Sequence, residues 1–99
     1  MKSVSAAELK NSINNKEDFQ LIDTREEYEH AEFNIGGILI PLGNIISQLA
    51  QIEKEKRVIF YCKKGVRSQI AIQRLQQKFP FENLYNLTGG IDGWRKEFR

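Results

Sequence analysis

Cysteine, histidine and tryptophan occur once each in this chain, and proline only twice. A single cysteine excludes an intramolecular disulfide, and one Cys with one His leaves no set at zinc-site spacing. No metal or other cofactor is therefore expected. No apolar stretch approaches the ~18–20 residues that a bilayer span requires, so no membrane association is expected. Met1-Lys2-Ser3-Val4-Ser5 turns polar at once and lacks the apolar core of a secretory leader. Together with the lone thiol, this points to a reducing, cytoplasmic setting. Charge of one sign is scarce as well, the formal net charge being +2. Lys54-Glu55-Lys56-Arg57 is broken by Glu55 and reads as a solvated loop, and Lys63-Lys64 is only a pair. Neither supplies the basic face and matching motif that nucleic-acid binding requires.

What is present is the patterning of one ordinary globular domain covering residues 1–99. Short apolar runs alternate with amphipathic ones, which predicts strand–helix units and a largely parallel sheet. Ser5-Ala6-Ala7-Glu8 has the form of a capping box and predicts a helix of about three turns with Leu9 and Ile13 inward. Phe19–Asp23 reads as a strand ending in acid. Thr24-Arg25-Glu26-Glu27 reads as a second capping box, opening a short helix to about Ala31. Gly36-Gly37 predicts a tight turn, and Ile38-Leu39-Ile40 a buried strand stopped by Pro41. Asn44 is placed to cap a helix carrying Ile45, Ile46, Leu49 and Ile52. Arg57–Tyr61 is β-branched, aromatic and apolar without alternation, as suits a central strand covered on both faces. A helix from about Val66 to Phe79 follows, with Ile70, Ile72, Leu75 and Phe79 inward and Pro80 as its stop. Leu84–Leu87 predicts a last strand. Gly89-Gly90 then turns the chain into a terminal helix bearing Ile91, Trp94 and Phe98.

The lone thiol falls between the strongest strand and a helix start, in Cys62-Lys63-Lys64-Gly65-Val66-Arg67-Ser68. Ligands of open parallel sheets bind at the carboxyl ends of strands. A loop from Cys62 to Arg67 can curl so that several backbone N–H groups and the positive end of the helix face the sulfur. Gly65 is what so tight a loop needs. Such surroundings favour the thiolate over the thiol, and Lys63, Lys64 and Arg67 act in the same sense. Arg67 is suited to clamping an anionic substrate, and Ser68 to capping the helix or donating to sulfur. The bland alternative is an inert buried thiol finishing a strand.

Four segments together resemble the single-domain rhodaneses, the thiosulfate sulfurtransferases. The Cys62 loop is similar to that family's active-site loop. Leu21-Ile22-Asp23-Thr24-Arg25-Glu26 resembles its early leucine-isoleucine-aspartate-x-arginine segment. Ile35-Gly36-Gly37-Ile38-Leu39-Ile40-Pro41-Leu42 resembles its glycine turn and isoleucine-proline-leucine strand. Leu87-Thr88-Gly89-Gly90-Ile91-Asp92-Gly93-Trp94 resembles its closing Gly-Gly-x-x-x-Trp motif. The resemblance spans nearly the whole chain. It implies a three-layer α/β/α fold with a mostly parallel sheet of about five strands. It also implies that Cys62 takes sulfur from a small anionic donor such as thiosulfate, carries it as a persulfide, and passes it to a thiol, cyanide or protein-cysteine acceptor. In that reading Lys63, Lys64, Gly65, Val66, Arg67 and Ser68 form the substrate cradle.

One departure is Asn34, which stands where the family often has histidine and is read as a change in loop support. His30 is expected on a helix surface. Asp23 and Arg25 are read as an ion pair or cap supporting the site loops, Trp94 as core or lid. Glu26, Glu27, Glu29 and Glu32 are read as one solvated helix face. Two other functions stay open. A cysteine-dependent phosphatase or arsenate reductase shares this fold, but places five residues between Cys and Arg where four intervene here. A non-catalytic rhodanese-like binding module would make no use of the cysteine.

Overall fold

The computed structural model describes residues 1–99. Five strands form one sheet: β1 (Ser3–Val4), β2 (Gln20–Asp23), β3 (Ile38–Leu39), β4 (Val58–Tyr61) and β5 (Leu84–Leu87). All neighbours run parallel, in the order β1-β5-β4-β2-β3. Four helices complete the domain: α1 (Ala6–Asn14), α2 (Glu27–Glu32), α3 (Val66–Lys78) and α4 (Gly90–Glu97). None is long and apolar enough to cross a membrane.

The unalternating β4 run is explained by burial on both faces. Its even residues Val58 and Phe60 pack with Ile22, Ile72 and Leu75 under α3. Its odd residues Ile59 and Tyr61 pack with Leu9, Ile91 and Trp94 under α1 and α4. The sheet is therefore the middle of three layers, the α/β/α class that the sequence implies. Register pairs Asp23 with Tyr61, so β2 and β4 end level and place Asp23 beside the residue preceding Cys62.

The sequence reading needs correction at several places. β1 is too short to announce itself, and it forms by pairing Ser3 and Val4 with Asn86 and Leu87. The α1 box is present, Ser5 Oγ accepting from Glu8 N–H and Glu8 Oε1 from Ser5 N–H. Its inner face is Leu9 with Ser12, and Ile13 is exposed. α2 starts two residues later than expected, Glu26 N–H donating to Glu29. Thr24 instead turns its hydroxyl to the Tyr61 carbonyl. Ile38-Leu39-Ile40 is not buried throughout: β3 is an edge strand with Ile38 exposed, and burial begins at Ile40. The helix expected after Asn44 is two short 3₁₀ turns, Leu42–Asn44 and Leu49–Gln51. Gly43, Asn44, Ile45, Ile46 and Ser47 are poor helix formers, so packing of Ile45 and Ile52 dictates the path. On α3 the inner stripe is Ala71, Ile72 and Leu75 with Ser68, while Phe79 and Phe98 end their helices exposed.

Candidate active site

Cys62 follows the last residue of β4 and is 1% exposed. The chain reverses at Gly65, whose φ of 100° lies in the left-handed region that suits glycine, and α3 begins at Val66. The turn brings Gly65 N–H to 3.0 Å from Cys62 Sγ. Ser68, one helical turn into α3 and fully buried, places Oγ 3.5 Å from the same sulfur. Of the several amides that the sequence suggests, the Gly65 N–H is the one that bonds to Sγ. Gly65 N–H donates to the sulfur, while the single Ser68 hydroxyl proton serves either Sγ or Asn86 Oδ1, not both.

Asn86 of β5 completes this cradle. Its Oδ1 bonds to Ser68 Oγ and its Nδ2 donates to the Gly65 carbonyl at 3.2 Å, so one side chain fixes both sulfur partners. The far side of the loop is tied to α4. Ile91 N–H donates to the Cys62 carbonyl and Asp92 N–H to the Lys63 carbonyl, each at 2.9 Å. These two amides belong to the unpaired first turn of α4, which here finds its acceptors in the loop. The approach is so close that a Cβ on Gly90 would stand 2.4 Å from the Cys62 carbonyl oxygen.

The three cations near the sulfur are held by two carboxylates. Lys63 Nζ lies 2.9 Å from Asp92 Oδ1 and Lys64 Nζ 3.8 Å from Asp92 Oδ2. Arg67 forks onto Glu29 of α2 at 2.7 and 3.0 Å. That fork holds the Glu29 carboxyl down at about 2, against an ordinary 4.5, and raises the Arg67 guanidinium further. Glu29 is thus part of the site frame, which corrects its reading as a solvated residue. The pocket over the sulfur has a volume of about 190 Å³ and is lined by Cys62, Lys63, Lys64, Val66 and Arg67.

Asp23 and Arg25 lie behind the loop and do not line that pocket. Asp23 is fully buried and takes a forked bond from Arg25 Nε and Nη2, at 3.0 and 2.8 Å. Arg25 also donates to the Phe33 carbonyl at 2.6 Å and sits 5.7 Å from the Tyr61 ring centroid. Tyr61 donates its hydroxyl to the Gly36 carbonyl, and burial, aided by Asp23, pushes its phenol well above the ordinary range. His30 is not a plain surface residue, since its Nδ1 is 2.9 Å from Asp23 Oδ2. Asn34 closes the turn to β3, donating to the His30 carbonyl and accepting from Gly36 N–H. Trp94 is core.

Sequence reasoning missed Asn86, Asp92 and Glu29 as site residues. Asp92 adjoins the Gly89-Gly90 turn and was open to notice. Asn86 and Glu29 reach the loop only through strand order and helix packing.

Against known proteins, residues 5–97 match the model of the rhodanese-like domain. YtwF of Bacillus subtilis, named as a sulfurtransferase, is 34% identical over 98 residues, covering 98% of this chain and 93% of its own. GlpE of Coxiella burnetii, named a thiosulfate sulfurtransferase, is 30% identical over 81 residues, covering 81% of this chain and 75% of its own. A rhodanese-like domain protein of Staphylococcus aureus superposes with a TM-score of 0.85 at 29% identity, covering 95% of this chain and 91% of that one. The strand order, the cysteine loop between β4 and α3, and these matches agree: the chain belongs to the rhodanese-like domain family.

Proposed function

We propose that this protein is a sulfurtransferase that moves sulfane sulfur from thiosulfate, or a related small anionic donor, through a persulfide on Cys62. The observation that carries this reading is the single thiol at the base of a pocket of about 190 Å³, with Gly65 N–H 3.0 Å from its sulfur and three cations at the rim. A thiolate stabilised by fixed donors needs no separate base. Cys62 thiolate attacks the outer sulfur of thiosulfate, the S–S bond breaks, and sulfite leaves with the electron pair. The persulfide carries its charge on the outer sulfur, in the pocket lined by Lys63, Lys64 and Arg67. A nucleophilic acceptor then attacks the outer sulfur, carries it away, and returns Cys62 as thiolate. Lys63, Lys64 and Arg67 attract the dianionic donor, and their carboxylate partners Asp92 and Glu29 hold them in place.

With one cysteine the chain has no second thiol to resolve its persulfide as a disulfide, so sulfur leaves to another molecule: cyanide, a small thiol or a protein cysteine. A reducing compartment, such as the cytoplasm, keeps Cys62 available. Phosphatase or arsenate chemistry fits less well, because Arg67 is forked onto Glu29 and only four residues separate it from Cys62. A binding-only role leaves the donors on Sγ without purpose. Intact mass after incubation with thiosulfate tests the reading. The expected result is a gain of one sulfur atom, reversed by cyanide and absent in Cys62→Ser. No adduct with any sulfane donor overturns it, and Cys62-dependent hydrolysis of an aryl phosphate transfers the assignment to phosphatase.

A further inference from the structure

The Ser68 hydroxyl has one proton and two acceptors. Its Oγ, fully buried, faces Cys62 Sγ at 3.5 Å on one side and Asn86 Oδ1 on the other, and it has no third partner. The Asn86 amide cannot turn to relieve the competition. Its Nδ2 donates to the Gly65 carbonyl at 3.2 Å, and the reverse orientation would set two carbonyl oxygens against each other. Its backbone is equally fixed, paired with Ser3 of β1 on one side and Phe60 of β4 on the other, with its N–H on the Lys2 carbonyl at 3.0 Å. The hydroxyl is therefore the moving part. A neutral cysteine sulfur is a weak acceptor and an amide carbonyl a strong one, so a neutral Sγ leaves the proton with Asn86. A thiolate is a charged acceptor of roughly twice the strength and draws the proton to itself. That rotation strands Asn86 Oδ1, which has no other donor.

We propose that Asn86 is a positioning residue for sulfur transfer, acting through Ser68: it holds the hydroxyl proton while Sγ is bonded to the carried sulfur, and surrenders it as Cys62 leaves. This role rests on the sulfurtransferase reading and assigns a residue to its second half. When Cys62 attacks the donor, charge leaves Sγ and the hydroxyl turns to Asn86. In discharge to cyanide, the cyanide carbon bonds to the outer sulfur, the S–S bond breaks, and the electron pair returns to Sγ. Thiocyanate departs with the sulfur, no oxidant or reductant takes part, and the Ser68 O–H bond only rotates. Charge then sits on Sγ, where Gly65 N–H already stands at 3.0 Å. Ser68 supplies a second donor only by giving up Asn86. Asn86 thereby steadies the loaded state and restrains its discharge. A residue that only supported the loop would have the opposite sign, its removal slowing the step.

The experiment follows a single turnover. Protein loaded from thiosulfate and freed of excess donor is mixed with saturating cyanide, and the persulfide remaining in quenched samples is read by intact mass. Asn86→Leu, similar in shape but without an acceptor, is expected to discharge about fivefold faster than the wild type, within the range of one intramolecular hydrogen bond. Asn86→Asp keeps an acceptor for the hydroxyl and adds negative charge near Sγ, and is expected to discharge about fivefold slower. In a Ser68→Ala background Asn86→Leu is expected to change the rate by less than about twofold, since no proton is left to share. Slower or unchanged discharge in Asn86→Leu overturns the role of Asn86, as does an acceleration that survives in Ser68→Ala, the mark of a loosened loop. Discharge of Asn86→Asp at or above the wild-type rate overturns it as well, and this variant decides where Asn86→Leu does not fold. Absence of sulfur uptake in the wild type overturns the sulfurtransferase reading, and the role of Asn86 with it.

Discussion

Replacing Gly90 by alanine puts a methyl group where the Cys62 loop already stands. The new Cβ would lie 2.4 Å from the Cys62 carbonyl oxygen and 2.6 Å from that of Lys63, both backbone atoms that no rotamer change can move aside. The residue also sits at φ 57°, which costs an alanine roughly 1–2 kcal/mol. Overpacking against fixed backbone adds about 1–3 kcal/mol. The sum, about 2–5 kcal/mol, is a large part of the roughly 5–15 kcal/mol that stabilises a domain. At about 4–8 °C per kcal/mol for this size, Tm falls by roughly 10–40 °C. Gly43 provides the control, because a Cβ there meets nothing within 4 Å, and Gly43→Ala is expected to shift Tm by less than about 3 °C. Thermal unfolding followed by far-UV circular dichroism measures both, and sulfur uptake from thiosulfate at low temperature reports the loop in whatever Gly90→Ala remains folded. That uptake is expected to fall at least tenfold, since the Ile91 and Asp92 amides can no longer reach the loop carbonyls. A Gly90→Ala protein that melts with the wild type would refute the claim that α4 seats the catalytic loop by direct backbone contact.

Ser68→Ala removes the hydroxyl that lies 3.5 Å from Cys62 Sγ and leaves Asn86 Oδ1 without its donor. Stopped-flow sulfur loading from thiosulfate is expected to slow about tenfold, the low end for a hydrogen bond to a charged group, with the fold retained. Glu29 has its carboxyl lowered from 4.5 to about 2, so its folded-state value lies below its unfolded one. Its contribution is full above about pH 4.5 and is lost as pH falls toward 2, so Glu29→Gln should flatten the fall in Tm across that window. At neutral pH the same variant is expected to lose only about 1 kcal/mol, as the pair reaches solvent. Asp23→Ala strands the Arg25 guanidinium, which is 5% exposed, without its carboxylate. A loss of about 3–5 kcal/mol in urea unfolding is expected, and a loss below about 1 kcal/mol would show that the pair does not anchor the loops.

How much of this was legible beforehand follows from the range of each interaction. Val58–Tyr61 declares a doubly covered strand by composition alone, and the Cys62–Ser68 run declares a tight turn into a helix, because both depend on neighbours in sequence. The α1 capping box is local in the same way. Thr24 shows the limit: it has the right spacing for a cap, yet the Tyr61 carbonyl on the neighbouring strand claims its hydroxyl. Ile13 and Ser12 exchange places because Arg57, far along the chain, bonds Ser12 Oγ at 3.0 Å. The helix expected after Asn44 failed because apolar spacing was read without the poor propensity of the residues between. Asn86 and Glu29 carry no local mark of their role, since each meets the loop only after β5 has paired with β4 or α2 has packed near α3.

The tie between α4 and the Cys62 carbonyl also bears on biogenesis. Gly90, Ile91 and Asp92 lie 28 to 30 residues beyond Cys62 in sequence, so the loop gains these contacts only when α4 has docked. Until that helix docks, the Cys62 loop lacks its rear wall, although Gly65, Ser68 and Asn86 belong to elements that precede α4. A partly folded chain whose α4 has not docked therefore lacks the two backbone ties to the Cys62 and Lys63 carbonyls. Under the proposed sulfurtransferase function, uptake of sulfur on Cys62 would report the docking of α4 as well as the chemistry.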